Sequence, residues 1–132
     1  MKRPFEPAKH VERTKEHDYV RPFLREASKL VGRRWNIGVL WELRNQKKMR
    51  FSQLQESLHG ISPSTLSDVL KYLQKESLIK RTAKGTVPPL KVEYSITEKG
   101  LGLIIASSPL IKWTMREKKH GQFMSHQRIV PS

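Results

Sequence analysis

The stretch GISPSTLSDVLKYLQKESLI, residues 60–79, constrains this chain more than any other. Ser62 followed by Pro63 marks a helix start, because a serine hydroxyl caps free amides and a first-turn proline loses no hydrogen bond. At 100° per residue, Leu66, Val69, Leu70 and Leu73 fall on one stripe that must be buried. Ser64, Asp68, Lys71 and Lys75 lie opposite the centre of that stripe, with Thr65, Ser67 and Tyr72 at its flanks. A helix over 63–75 therefore needs a core on one side. Its outward side begins with small hydroxyls and ends with lysines.

Two readings of that outward side stand next to each other. A solvated face, with Ser and Thr chosen for capping, is the default for any surface helix. Contact with a polyanion is the other. The free N–H groups and positive dipole end of the helix suit phosphate, and short hydroxyl side chains allow close approach. Lys71 can reach a guanine edge or a phosphate, and Lys75 the backbone behind it. Asp68 repels phosphate, yet a carboxylate can accept from cytosine N4.

The flanking sequence supplies the rest of the fold. RPFLREASKLV (21–31) has Pro22 near a helix start, apolar residues at helical spacing and Gly32 closing it. WNIGVLWELRN places Trp35, Val39 and Leu43 on one stripe. Ile37, Leu40 and Trp41 widen it into a nearly all-round apolar core helix. After a basic connector, QKKMR, a short helix starts at Phe51 with Ser52 as a candidate cap, and Gly60 ends it. LIKRTA and LKVEYSIT alternate like strands around KGTVPP and predict a hairpin. Thr97 caps a last helix, in which Pro109 should force a kink or a restart. The expected fold class is α+β and mostly helical: two short helices joined by a tight turn, then a two-stranded wing. Residues 1–18 read as a mobile arm, 19–116 as the folded domain and 117–132 as a loosely ordered tail.

Charge decides how the outward face is weighed. The 132 residues carry 26 Lys+Arg against 12 Asp+Glu, a net charge of +14. The excess is +1 over residues 1–19, +6 over 20–60, +3 over 61–99 and +4 over 100–132, so it lies in the folded region and the tail. A basic folded surface favours a polyanion, most commonly nucleic acid. Arg33, Arg34, Lys47, Lys48 and Arg50 precede the 63–75 helix, and Lys80, Arg81, Lys84 and Lys91 follow it. Each group alone is more often a solvated patch. Together they outline a duplex footprint.

Other chemistry finds little support. The chain has no cysteine, which excludes disulfides, thiolate metal sites and thiol redox sensing. Its five histidines show no metal-ligand spacing. No phosphate-binding Gly loop or hydrolase motif occurs, so no enzyme and no cofactor are expected. No secretory h-region or membrane-length apolar run is visible, which points to a cytoplasmic, nucleoid-associated protein without a membrane partner.

Taken in order, GRRW…VLWEL, RFSQLQESLHGISPSTLSDVLKYLQKESLIKRT and VPP…VEYSITEKG resemble the HxlR-type winged-helix transcription regulators over residues 21–115. The resemblance implies a small prokaryotic regulator acting at operators. It implies a homodimer built from helices near 21–31 and 98–116, with a recognition helix in each major groove and wings beside them. Ser62, Ser64, Thr65, Ser67 and Lys71 fall where that family meets DNA. The wing tip falls at Lys84–Thr86, with Arg81 and Lys91 at its base. Arg34, Arg50, Ser52, Asp68 and Lys75 complete the expected DNA-binding set, and any effector is unspecified. Many family members carry Cys-Pro where this chain has Arg21-Pro22, often Gln where it has Asp68, and commonly Gly where it has Ser77. The rival readings are a non-specific chromatin-like or RNA-binding protein, and a winged helix that meets an acidic protein partner.

Overall fold

The computed structural model describes residues 15–127. The arm expected over residues 1–18 lies outside the described residues as far as residue 14. From Lys15 onward the chain is already helical. The chain divides into two compact units, one up to Asn36 and one from Ile37 onward.

The first unit is built on α1 (Lys15–Gly32). Pro22, expected near the helix start, lies in its interior, seven residues after Lys15. An interior proline removes one backbone bond, and here the turn around it, residues 18–25, is exposed throughout, where the loss is least costly. Tyr19 and Phe23, one turn apart, meet as a tilted pair with ring centroids 5.4 Å apart. At the end of the unit Asn36 Nδ2 donates to the Leu30 carbonyl at 2.9 Å.

The second unit takes in the rest of α2 (Asn36–Gln46), then β1 (Lys48–Met49), α3 (Phe51–Ser57) and α4 (Pro63–Lys75). The strands β2 (Ile79–Lys84) and β3 (Lys91–Ile96) follow, and then α5 (Glu98–Gln127). Val39, Leu40 and Leu43 of α2 are fully buried, whereas Trp41 is exposed beneath the Arg44 guanidinium, 5.5 Å from its ring. The helix is thus apolar inward and not all round. The segment read as a connector forms β1: Lys48 pairs with Ser95 and Met49 with Tyr94, giving a three-stranded antiparallel sheet of order β1-β3-β2. Met49 is buried, and its single apolar side chain anchors a strand too short to show alternation.

α4 has the expected boundaries and orientation. Leu66, Val69, Leu70 and Leu73 are buried together with Leu54 and Leu58 of the α3 segment and Ile61 of the turn. The helix ends in a Schellman arrangement: Leu78 N–H donates to the Leu73 carbonyl and Ser77 N–H to that of Gln74, both at 2.9 Å. Ser77 carries the left-handed conformation this requires, at φ 61°.

Directly after β3, Thr97 caps α5. Its hydroxyl accepts from Gly100 N–H at 3.0 Å and donates to the Ser77 carbonyl at 2.7 Å. Gly100 is forced by close approach, since a Cβ there would collide with the Leu78 carbonyl oxygen. α5 runs through Pro109 without the restart that was one of the two sequence expectations there, and it continues beyond residue 116 to Gln127. Pro109 and Ile105 both lie on the exposed side of the helix, where the bond that proline removes is least costly to lose. α3, the turn at 58–62, α4 and the β2–β3 hairpin together form a winged helix-turn-helix.

Two substitutions test this joint. Gly100→Ala should lower stability by about 1–3 kcal/mol or more, because the neighbour that must yield is backbone. Ser77→Gly should raise stability by about 0.5–1 kcal/mol by relieving the left-handed serine. Urea unfolding of the two variants against the parent reads both.

Candidate nucleic-acid interface

Three exposed groups of side chains make up the candidate interface. The first is the front of α4. Ser62 Oγ accepts from Thr65 N–H at 3.1 Å and donates to Thr65 Oγ1 at 2.9 Å. Ser64 Oγ lies 3.4 Å from the Ser62 hydroxyl. Ser62 is therefore a cap before anything else, and its proton is already engaged. Thr65 and Ser67 are half-buried at the flanks, while Ser64, Asp68, Lys71 and Lys75 are exposed. The residues free to meet a ligand along this helix are those four.

The second group is the outward face of the sheet. Residues directly opposite each other in a ladder share a face. The pairs Lys48↔Ser95, Lys80↔Ser95, Thr82↔Glu93 and Lys84↔Lys91 therefore place four lysines on one side, around Glu93. The other side carries Met49, Ile79 and Tyr94 into the core, and Arg81, paired with Tyr94, belongs to that side. Lys91 sits at the loop end of the wing, opposite Lys84, and not at its base as expected. Arg81 lies mid-strand, and Thr86 lies in the exposed loop between the strands.

Two like charges directly opposite each other disfavour a hairpin. Glu93 offsets this: its Oε1 lies 3.3 Å from Lys84 Nζ. The bond with Lys84 is the main reason the Glu93 carboxyl titrates below its ordinary value. Burial opposes the shift, and the charges of Lys84, Lys48 and Lys91 add to it. With its pKa lowered by folding, this contribution is present above the ordinary carboxylate value and is lost as pH falls through the lowered one.

The third group joins α3 to the wing. Arg50, Ser52 and Lys91 line an open hollow of about 590 Å³ together with Phe51, Leu90 and Val92. Arg50 rather than Ser52 is the cap residue of α3, and its N–H donates to Gln53 Oε1 at 2.8 Å. Ser52 lies inside the first turn, exposed. Arg34 belongs to the first unit, where its guanidinium lies 4.8 Å from the Trp35 ring centroid.

Lys48 and Lys80, which the sequence places among the basic residues flanking α4 without a contact of their own, take a defined position on the outward sheet face. The Lys48 signal was hidden by the missed strand β1. That of Lys80 was available in the alternation of LIKRTA. Among the described residues no group of His, Asp or Glu is arranged to hold a metal ion.

Over residues 30–122, which take in α4 and the lysine-bearing hairpin, the chain matches the model of the HxlR-like helix-turn-helix. The chain belongs to the HxlR-like helix-turn-helix family. It is 36% identical over 88 residues to the uncharacterized HTH-type transcriptional regulator YdzF of Bacillus subtilis, covering 67% of this chain and 80% of YdzF. It is 32% identical over 92 residues to the HTH-type transcriptional regulator YodB of the same organism, covering 70% of this chain and 80% of YodB. The structure of reduced YodB superposes with a TM-score of 0.62 at 30% identity, covering 70% of this chain and 88% of that one. The HxlR-like chain is thus a DNA-binding transcriptional regulator, and its relatives are regulators and not enzymes. No described helix is long and apolar enough to cross a membrane.

Glu93→Gln should tighten binding to any duplex by roughly 2- to 5-fold at low ionic strength, with the gain shrinking as salt rises. Fluorescence anisotropy across a salt series measures it. Ser62→Ala should cost about 1 kcal/mol of stability through the lost cap.

Proposed function

We propose that this HxlR-like protein acts as a homodimer that binds operators in double-stranded DNA. α4 enters the major groove and the wing lies on the backbone or in the minor groove. One observation carries the reading: the exposed face of α4 holds Ser64, Asp68, Lys71 and Lys75, and no other part of the described chain covers it. The hydroxyl end approaches the bases and adjacent phosphates. Lys71 and Lys75 follow about two and three turns behind Ser64. Thr65 and Ser67 contribute from the flanks, and Ser62 through the amides it orders.

Around α4, Arg50, Ser52 and Lys91 meet the backbone from one hollow. Lys84, Thr86 and Arg81 extend the contact along the wing, and Arg34 adds a further charge. Lys48 and Lys80 join them as members of the lysine face. Phosphate contacts of this kind position the protein and carry most of the affinity, whereas groove contacts supply sequence preference.

Dimerisation is supported by large apolar side chains left bare on the terminal helices. On α1, Tyr19 is 70% exposed and Phe23 and Leu24 are 59% exposed; on α5, Trp113 is 53% exposed. Apolar surface of this extent marks an interaction site. A second copy of the chain is the occupant that would place two α4 helices on paired half-sites.

With about 6–10 phosphates contacted, affinity should fall about 10³–10⁵-fold between 50 and 200 mM salt. A preferred operator should be bound well above random duplex at each salt concentration. A ratio near one would favour a non-specific or RNA-binding protein. Lys71→Ala should lose discrimination, while Lys84→Ala and Lys91→Ala should weaken operator and random duplex alike. Phe23→Glu should convert a sedimenting dimer to monomer; a parent that sediments as a monomer at micromolar concentration would refute the paired-half-site arrangement.

A further inference from the structure

Asp68 stands at the middle of the outward face of α4, in the company of Ser64, Lys71 and Lys75. It is exposed, and among the described residues it forms no hydrogen bond and no ion pair. Lys71 follows it by three residues, a spacing at which Asp and Lys can pair on a helix. That pair is not formed. A bare carboxylate on a surface that approaches phosphate repels its partner, so its presence lowers affinity for every duplex alike. The repulsion is offset only where the DNA presents a donor.

Major-groove base edges carry two donors, cytosine N4–H₂ and adenine N6–H₂. An ionised carboxylate is acceptor-only. Beside adenine N6 lies the N7 acceptor on the same base, which faces a carboxylate unfavourably. Cytosine has no acceptor on its own major-groove edge. The chemistry of Asp68 thus selects cytosine, whereas Lys71, donor-only, suits the O6 and N7 acceptors of guanine.

On the reading of α4 as the groove-entering helix, we propose that Asp68 is the specificity-determining residue for one C·G pair in each half-site. It accepts from cytosine N4. At all other sequences it acts as an electrostatic penalty. The same side chain thus contributes to recognition and to rejection, the second by repulsion of duplexes that do not place a cytosine N4 within its reach.

The test is selection of bound duplexes from a random pool with the full-length parent, Asp68→Ala and Asp68→Asn at one salt concentration. The parent should enrich one C·G pair per half-site at a fixed position. Asp68→Ala should lose preference at that position by roughly 5- to 50-fold and keep it elsewhere, as expected for loss of one base contact. Its affinity for random duplex should rise. Asp68→Asn should shift the position towards A·T, because an amide matches adenine N6 and N7. N4-methylcytosine keeps base pairing but removes the groove-facing hydrogen. At the selected position it should weaken the parent and leave Asp68→Ala unaffected.

If the parent selects a sequence and Asp68→Ala returns the same one, Asp68 reads nothing and the groove reading of α4 survives. Enrichment of adenine by the parent at the position that Asp68→Ala loses also overturns the cytosine assignment. A parent that enriches no sequence overturns both, and the operator reading falls first.

Discussion

Everything at the interface depends on the joint where α4 ends and α5 begins. The Leu78 carbonyl accepts from Thr97 N–H at 3.1 Å, and the backbone of Gly100 packs against the same oxygen without room for a side chain. Thr97 spans the gap with one hydroxyl, and Lys99 Nζ reaches the Glu76 carbonyl at 2.7 Å. Carbonyls at the end of one helix are thereby satisfied by groups from the start of another. The direction of α4 is tied to that of α5 by backbone geometry, which tolerates less adjustment than packing between side chains.

That joint gives the bare face of α4 its meaning. A helix whose apolar stripe is closed over by α3 and the turn, and whose end is pinned to a 30-residue helix, presents its polar face at a fixed angle. The sheet is pinned to the same place, since β2 begins at Ile79, one residue after Leu78, and β3 ends at Ile96, one before Thr97. Lysines on the outward sheet face and hydroxyls at the front of α4 are thus held in one rigid frame. A docking surface that is already ordered loses less entropy on binding.

The parts of this frame that depend on local periodicity were legible in the sequence. The stripe of Leu66, Val69, Leu70 and Leu73, the Ser62-Pro63 start and the Thr97 cap each need only a few neighbouring residues to define them. What escaped depended on partners distant in the chain. β1 is a strand because Met49 finds Tyr94, and two residues carry no period of their own. Pro22 is expected near a helix start and Pro109 at a kink or a restart, since a proline ends a helix when its neighbours need the missing bond. At exposed positions that loss costs less, and the helices continue. For the site, the hydroxyls and lysines of α4 were visible, but Arg34 belongs with Trp35 in the other unit. The place of Lys91 opposite Lys84 follows from strand register and not from spacing along the chain.

The two acidic residues within this basic surface show how affinity and selectivity are separated. A net charge of +14 secures attraction to any polyanion and cannot by itself distinguish one duplex from another. Glu93 is turned to an internal task, holding Lys84 beside Lys91 so that the wing can concentrate positive charge without splaying. Asp68 has no such partner, although Lys71 lies within reach along the helix. An acid that the fold employs, half-buried as Glu93 is, and an acid that the fold leaves bare and exposed, as Asp68 is, are different physical objects. The first moderates the strength of binding everywhere. The second makes binding conditional on what the groove offers, which is the property a regulator needs beyond simple adhesion to DNA.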